Sequence, residues 1–385
     1  MPRPKPHPME LDLTWILIGL PIAFALGWIA SRLDLRQMRM ANRQAPRAYF
    51  KGLNYLLNEQ QDQAIDAFIE AVQNDPDTSE LHFALGNLFR RRGEYDRAVR
   101  VHEHLLSRAD LSAADRQRAQ HGLALDFLKA GLLDRAEEAL RKLEGSPFEG
   151  QARLARLAIY ERSREWREAE EVAHLLERSG EASFSVRLAH YRCEQARELL
   201  ESGDTTGALT LLATTVKSHP QAPRPRILWG QLLLNQGQAQ ASLEALWPLF
   251  AQAQPSAALA AQTLVKAALA CEAQQRAREV LQTCYQQMPS VDLLEAMASL
   301  DNQDAGKLYL EHLQQHPSLI VTSRWLNADL GHALPAEIGR AVDQAARPLA
   351  RYRCAACGFE ARDHFWHCPG CQAWDSYPPR RVEEL

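Results

Sequence analysis

The sequence predicts an all-α protein in which a superhelix of paired helices follows one membrane-spanning helix and precedes a small four-cysteine ribbon. Three observations support this prediction: an uncharged run near the start, small residues that recur about every 34 residues along a helical stretch, and two Cys-x-x-Cys pairs near the end. Hydrophobic residues make up 46% of the chain and charged residues 24%, which is typical of a chain that buries a core. The formal net charge of −4 argues against a strongly basic nucleic-acid-binding protein.

An apolar run at residues 13–30, LTWILIGLPIAFALGWIA, contains no charged side chain. As a helix it would be about 27 Å long, close to the roughly 30 Å of a hydrocarbon core. Trp15 and Trp28 stand near its two ends, where indole rings prefer the headgroup layer. The alternatives are a buried soluble helix and a cleaved secretory signal, which the lack of a small-residue cleavage site disfavours. We therefore predict a transmembrane helix at 13–31.

Charged side chains flank this helix asymmetrically. The short tail at 1–12 carries two Lys or Arg residues and two acidic ones, whereas residues 32–51 carry six basic side chains and one acidic one. The positive-inside rule therefore places everything after residue 31 in the cytoplasm. Residues 32–45 are predicted to form a basic juxtamembrane linker whose arginines contact anionic lipid headgroups.

The stretch 46–345 is helical in its periodicity and repeats itself, which predicts a solenoid of about eight to nine units. Its first unit contains Gly52, Tyr55, Ala64, Phe68, Ala71 and Pro76. These spacings resemble the tetratricopeptide repeat, a helix-turn-helix unit of about 34 residues. A small residue is needed where the two helices of a unit cross, and one recurs as Ala64, Ala98, Ala136, Ala169, Ala208, Ser242, Ala277 and Ala305. The later units are inferred mainly from spacing, and a generic helical bundle is the alternative.

A solenoid of this kind offers a long concave surface lined by the first helix of each unit. Asn87 and Arg90 are the candidate groove residues, because an amide and a guanidinium could hold a peptide backbone or a carboxylate. The alternative is that both are ordinary solvated side chains.

Four cysteines near the end, Cys354, Cys357, Cys368 and Cys371, form two Cys-x-x-Cys pairs separated by ten residues. Two such turns aim four sulfur atoms at one ion, which suits Zn²⁺ or the iron of a rubredoxin-type site. We predict a rubredoxin-like ribbon at 350–378 that holds one metal ion tetrahedrally. Four cysteine ligands close the shell, so the site is predicted to be structural.

The histidine, aromatic and charged side chains in and near the ribbon are not expected to bind the metal. His364 and His367 are predicted to lie outside the ligand set, because four cysteines already complete it. The ribbon is rich in aromatic residues, and part of its surface is expected to pack on the last helices of the solenoid. Basic and acidic side chains near it are balanced, which argues against a nucleic-acid-binding ribbon.

The order of these parts is similar to one family, lipopolysaccharide assembly protein B of Gram-negative inner membranes. The resemblance covers essentially the whole chain, including GLNYLLNEQQDQAID (52–66), LGNLFRRRGEYDRA (85–98), LQTCYQQ (281–287) and the ribbon motif WHCPGCQAW (366–374). The resemblance implies a non-enzymatic adaptor in the bacterial inner membrane, single-pass, with a periplasmic N-terminus. It implies that the adaptor regulates lipopolysaccharide biosynthesis by promoting degradation of the lipid A pathway deacetylase LpxC by the membrane AAA+ protease FtsH. Other lipopolysaccharide-assembly membrane proteins are implied as further partners.

Two other classes of function compete with this reading. The ribbon could make the chain an electron-transfer protein tethered to the membrane, for which iron would be required. An enzyme is disfavoured, because the sequence contains no phosphate-binding loop, no His-Glu-x-x-His and no nucleophile elbow.

Overall fold

The structure is a computed structural model. It describes Phe24, Trp28 and residues 50–74, 78–180, 183–252, 254–300, 305–329 and 335–385. The predicted tail (1–12), transmembrane helix (13–31) and linker (32–45) therefore lie outside the described residues, except that Phe24 and Trp28 are helical and exposed. No helix among the described residues is both long and apolar enough to cross a bilayer.

The chain divides into two compact units, Met1–Ala155 and Arg156–Leu385. The described helices of the first unit are α1 (50–57), α2 (Gln61–Asn74), α3 (Ser79–Arg92), α4 (Tyr95–Ser107), α5 (Ala113–Ala130) and α6 (Leu133–Arg141). Helix α7 (Glu149–Ser163) crosses the boundary between the units. In this unit α2 packs on α1, α4 on α3 and α6 on α5, as the tetratricopeptide pattern predicts.

The second unit continues the same pairing. It contains α8 (Trp166–Arg178), α9 (Ser185–Glu201), α10 (Thr205–Ser218), α11 (Pro223–Asn235), α12 (Ala239–Ala251), α13 (Ala261–Ala270), α14 (Gln274–Gln287), α15 (Val291–Leu300), α16 (Ala305–Gln315), α17 (Leu319–Asp329) and α18 (Ala336–Leu349). A short 3₁₀ helix, Pro255–Ala260, precedes α13. Within the described part of this unit, α10 packs on α9, α12 on α11, α14 on α13, α16 on α15 and α18 on α17.

The small residues that the spacing singled out are buried in the second helices of these pairs. Ala64, Ala98, Ala136, Ala169, Ala208, Ser242 and Ala277 each occupy the fourth position of their helix and are fully buried, while Ala305 begins α16. A larger side chain at this position would hold the two helices apart. The recurring small residue therefore marks the contact within each pair.

A glycine follows the first helix of a pair at two places where the chain must reverse its direction. Gly93 (φ 83°) follows α3 and Gly131 (φ 77°) follows α5, both in the left-handed region that side chains disfavour. The Gly93 N–H donates to Arg90 O, and the Glu94 N–H donates to Phe89 O. These bonds satisfy carbonyls that the helix leaves open at its end, so the chain can turn at once into α4.

The ribbon follows α18 in the second unit. Its strands β1 (Tyr352–Arg353) and β2 (Glu360–Ala361) pair in antiparallel register, with Tyr352 opposite Ala361. A 3₁₀ turn at Val382–Glu384 lies near the end of the chain. All-α architecture with a small C-terminal ribbon is therefore confirmed for the described residues.

Candidate metal centre

Two cysteine turns of the same local geometry build the centre. The Cys354 N–H donates to Phe359 O and the Gly358 N–H to Cys354 O, both at 2.9 Å. The second turn repeats these bonds at the same length, from Cys368 N–H to Ala373 O and from Gln372 N–H to Cys368 O. Gly358 and Gln372 occupy equivalent positions and both have positive φ, 77° and 61°. The ribbon thus presents two matching turns to a common point.

The four sulfur atoms meet at that point with the spacing of a tetrahedral site. All four lie within 4.8 Å of one another, with Cys354 Sγ 3.8 Å from Cys371 Sγ and Cys357 Sγ 3.7 Å from Cys368 Sγ. A regular tetrahedron with metal–sulfur bonds of about 2.3 Å has edges of about 3.8 Å. The donor set and its geometry therefore fit one Zn²⁺ or iron ion. Bound there, the ion would supply folding energy and hold the two turns together.

The four cysteines differ in their solvent exposure and in the pKa of their thiols. Cys354 and Cys368 are buried, whereas Cys357 and Cys371 are exposed. Burial opposes ionisation of Cys354, but bonds from the Ser376 hydroxyl and backbone N–H groups outweigh it and lower its pKa to about 6. The Phe359 backbone N–H favours the Cys357 thiolate, but burial and neighbouring sulfurs outweigh it and raise its pKa to about 12. Four adjacent thiolates therefore need a cation between them.

The two histidines of the ribbon form hydrogen bonds with its backbone. The His364 Nε2–H donates to Tyr377 O and the His367 Nε2–H donates to Gln372 O, both at 3.0 Å. Burial lowers the pKa of both imidazoles, which keeps them neutral near pH 7. Within the described part of the chain, the group able to hold a metal contains the four cysteines and neither histidine.

The ribbon docks on the solenoid through a contact that the sequence did not reveal. His190 of α9 is fully buried, and its Nε2–H donates to both carboxylate oxygens of Asp375, at 2.9 and 3.0 Å. The Trp374 ring stacks on His190 at 4.9 Å and donates its Nε1–H to Glu161 of α7 at 3.1 Å. The ribbon therefore also packs on α7 and α9, which lie at the start of this unit, a contact that the sequence did not predict.

A second docking point does lie near the end of the solenoid. Arg381 contacts Asp292 of α15 through two nitrogen atoms, at 2.6 and 3.1 Å, and its guanidinium lies 4.1 Å from the centre of the Tyr352 ring. The Tyr352 hydroxyl donates to the same carboxylate at 3.0 Å. The ribbon therefore bridges helices that are far apart in the sequence of the second unit.

The predicted groove residues lie in the first unit, and one of them has an internal partner. Arg90 donates to the fully buried Asp126 of α5 at 2.8 Å, and also to the side-chain oxygen of Asn87. The other Asp126 oxygen lies 2.5 Å from Nδ1 of buried His102. Arg90 therefore pairs with a buried carboxylate, and its contact with a peptide in the groove stays a prediction.

Sequence reasoning missed this buried network, although one signal was present. Gly86 and Gly122 stand on the two first helices that enclose His102, and a Cβ on either would lie under 3 Å from the imidazole. Glycine is disfavoured inside a helix, so two such glycines indicate that a neighbouring side chain packs too closely to leave room for a Cβ.

Two sequence families match parts of the chain. A family described as "Rubredoxin metal binding domain" matches residues 352–378, and one described as "Tetratricopeptide repeat" matches residues 51–103 and 193–257. The first match spans both cysteine turns, and the second spans helices of both units.

Relatives match over nearly the full length. Lipopolysaccharide assembly protein B of Escherichia coli strain K12 is 34% identical, over 96% of this chain and 98% of that protein. The chain belongs to the lipopolysaccharide assembly protein B family. The family member from Haemophilus influenzae is 27% identical, over 97% of this chain and 99% of its own. The family assignment made from the sequence is thereby confirmed.

Solved tetratricopeptide proteins are more distant. One from Parabacteroides merdae aligns with 67% of this chain and 99% of its own length, at 15% identity and a TM-score of 0.34. That score is too low to relate individual helix pairs of the two proteins.

Proposed function

We propose that the chain is a non-enzymatic adaptor of the bacterial inner membrane that regulates lipopolysaccharide biosynthesis. In this proposal it presents the deacetylase LpxC to the protease FtsH and organises other lipopolysaccharide-assembly membrane proteins. The observation that carries the proposal is the full-length kinship with relatives named lipopolysaccharide assembly protein B. No nucleic-acid partner is part of it, since the net charge is −4.

The architecture supports binding over catalysis. Paired helices stacked in this way are a common scaffold for holding other proteins. A four-cysteine shell leaves no position for water or substrate, so a metal there would act structurally. The ribbon's contacts with α7, α9 and α15 support the same interpretation, because they tie the metal centre to the scaffold itself.

The proposed location is a single pass through the inner membrane, with a periplasmic N-terminus and a cytoplasmic solenoid. Its support is the apolar run at 13–30 and the six basic side chains of residues 32–51. Protease added to the outside of spheroplasts should leave the solenoid intact. Digestion of the solenoid under those conditions would reverse the proposed orientation.

The half-life of the deacetylase tests the function directly. Deleting the gene should lengthen the half-life, and restoring the full-length chain should shorten it again. A pull-down from solubilised membranes, read by mass spectrometry, should recover FtsH or the deacetylase. An unchanged half-life in the deletion strain would refute the proposal.

Metal analysis of the purified full-length protein separates the adaptor from an electron carrier. A colourless protein with one zinc ion per chain would agree with the structural role. A red protein that contains iron and exchanges electrons would support the tethered electron carrier instead.

A further inference from the structure

The last residues of the chain make hydrogen bonds to the ends of three helices. Glu383 accepts from the Leu319 N–H at 2.5 Å and the Ile320 N–H at 3.1 Å, at the start of α17. Glu384 accepts from the Val291 N–H at 2.7 Å, at the start of α15. Arg381 donates to Ala350 O at 2.8 Å, directly after the end of α18.

The sign of each charge matches the helix end that it contacts. The first N–H groups of a helix lack partners within the helix and carry partial positive charge, whereas the last carbonyls carry partial negative charge. Two carboxylates therefore sit at two helix starts, and a guanidinium sits at a helix end. All three contacts stabilise the helices that they cap.

The capping segment is itself held in place. The Arg381 N–H donates to Glu384 at 2.7 Å, and the Val382 N–H donates to Arg351 O at 2.7 Å. Arg381 is also paired with Asp292 at 2.6 Å. The carboxylates of Glu383 and Glu384 are thus positioned before they meet the helices, which reduces the entropy cost of capping.

Helix α15 depends on this segment more than α17 does. Ser290 directly precedes α15, but its buried hydroxyl makes no hydrogen bond within the described residues. Ser318 precedes α17 and does cap it, because its Oγ accepts from the Val321 N–H at 3.0 Å. The start of α15 therefore relies on Glu384, while α17 has a cap of its own in addition to Glu383.

We infer that residues 381–384 form a C-terminal latch that controls the order of α15 and α17, the first helices of the last two pairs. Removal or capture of the latch would loosen these helices while the four-cysteine ribbon stays folded. The neighbouring Leu385 is 60% exposed, so a binding partner can reach this segment. This inference does not depend on the proposed function.

Hydrogen–deuterium exchange of the full-length protein tests the latch, with one variant for each helix. Glu384→Ala should speed amide exchange at the start of α15 about two- to thirtyfold, the range expected for loss of a helix cap. Glu383→Ala should do the same at the start of α17, with a smaller effect because Ser318 remains. Glu337→Ala is the matched control, since Glu337 is an exposed acid of α18 that contacts neither α15 nor α17 among the described ion pairs and pairs with Arg340 three residues on.

The latch predicts a specific pattern across the chain. Each variant should affect its own helix, leave α9 unchanged and keep one metal ion per chain. Exchange at α15 and α17 that matches the Glu337→Ala control would overturn the inference. So would loss of the metal together with faster exchange in α9, because that pattern would mean that the whole ribbon had detached.

Discussion

Replacing Asp375 with alanine removes the ribbon's partner for His190. The imidazole of His190 is fully buried and donates to both oxygens of this carboxylate, so the substitution leaves a buried N–H without an acceptor. A hydrogen bond to a charged group contributes about 1.5–3 kcal/mol. The Asp375 side chain is 47% exposed, and solvent weakens the interaction. The expected loss in the free energy of unfolding is therefore near the lower end of that range, at about 2 kcal/mol.

Thermal unfolding of the purified full-length protein measures this loss. For a unit of this size, about 2 kcal/mol corresponds to a fall in Tm of about 4–8 °C. Asp363→Ala is the matched control, because Asp363 is an exposed ribbon aspartate that forms no ion pair with the described residues. Surface substitutions of that kind change the free energy of unfolding by less than about 0.5 kcal/mol.

A double variant separates the His190–Asp375 hydrogen bond from general damage to the ribbon. His190→Phe combined with Asp375→Ala removes both polar partners and keeps a ring to stack on Trp374. Its Tm should lie above that of Asp375→Ala alone, because removing both partners costs less than leaving one unpaired. Equal Tm values for Asp375→Ala and Asp363→Ala would refute the docking argument.

Three further predictions concern the metal, a close helix contact and pH. Cys368→Ser should abolish metal binding and make the ribbon sensitive to protease, because folding and metal binding are linked; a metal-free ribbon that stayed resistant would contradict this. Gly122→Ala should lower the free energy of unfolding in urea by about 1–3 kcal/mol, because the new Cβ would lie 2.7 Å from the His102 ring. Gly339→Ala is the control and should not destabilise the chain, because there is open space around Gly339. Burial lowers the pKa of His190 in the folded chain below its value in the unfolded chain. The stability that the neutral imidazole contributes is therefore complete above about pH 6.5 and is lost as the pH falls. His190→Phe should make the urea midpoint of unfolding fall less between pH 7.5 and 5.5.

The repeat architecture could be predicted from the sequence because its constraints are local. A small residue recurs wherever two helices of a pair cross, so the spacing of Ala64, Ala98 and Ala136 marks the pairs before any coordinates are known. Cys-x-x-Cys turns are equally local, since the two bonds that shape each turn join residues no more than five positions apart. Both patterns can be found by comparing a stretch of sequence with itself.

The docking of the ribbon could not be predicted, because its contacts join distant positions. His190 and Asp375 are 185 residues apart, and nothing near either residue indicates the other. The buried partner of Arg90 could not be predicted for the same reason, because Asp126 lies 36 positions further along the chain. In the sequence, the latch residues Glu383 and Glu384 only offset the charge of nearby basic side chains.

The measurement that tests the proposed adaptor most directly is the half-life of the deacetylase in cells that carry different forms of the chain. The forms are the full-length protein, a truncation that starts near Ala45, and that truncation fused to an unrelated membrane helix. An adaptor that presents a client to a membrane protease gains from confinement to the bilayer, by about 10²–10⁴ in apparent avidity. The full-length and fused forms should therefore shorten the half-life, and the soluble truncation should not. Full activity of the soluble truncation at native expression would contradict the claim that the chain works as a tethered adaptor.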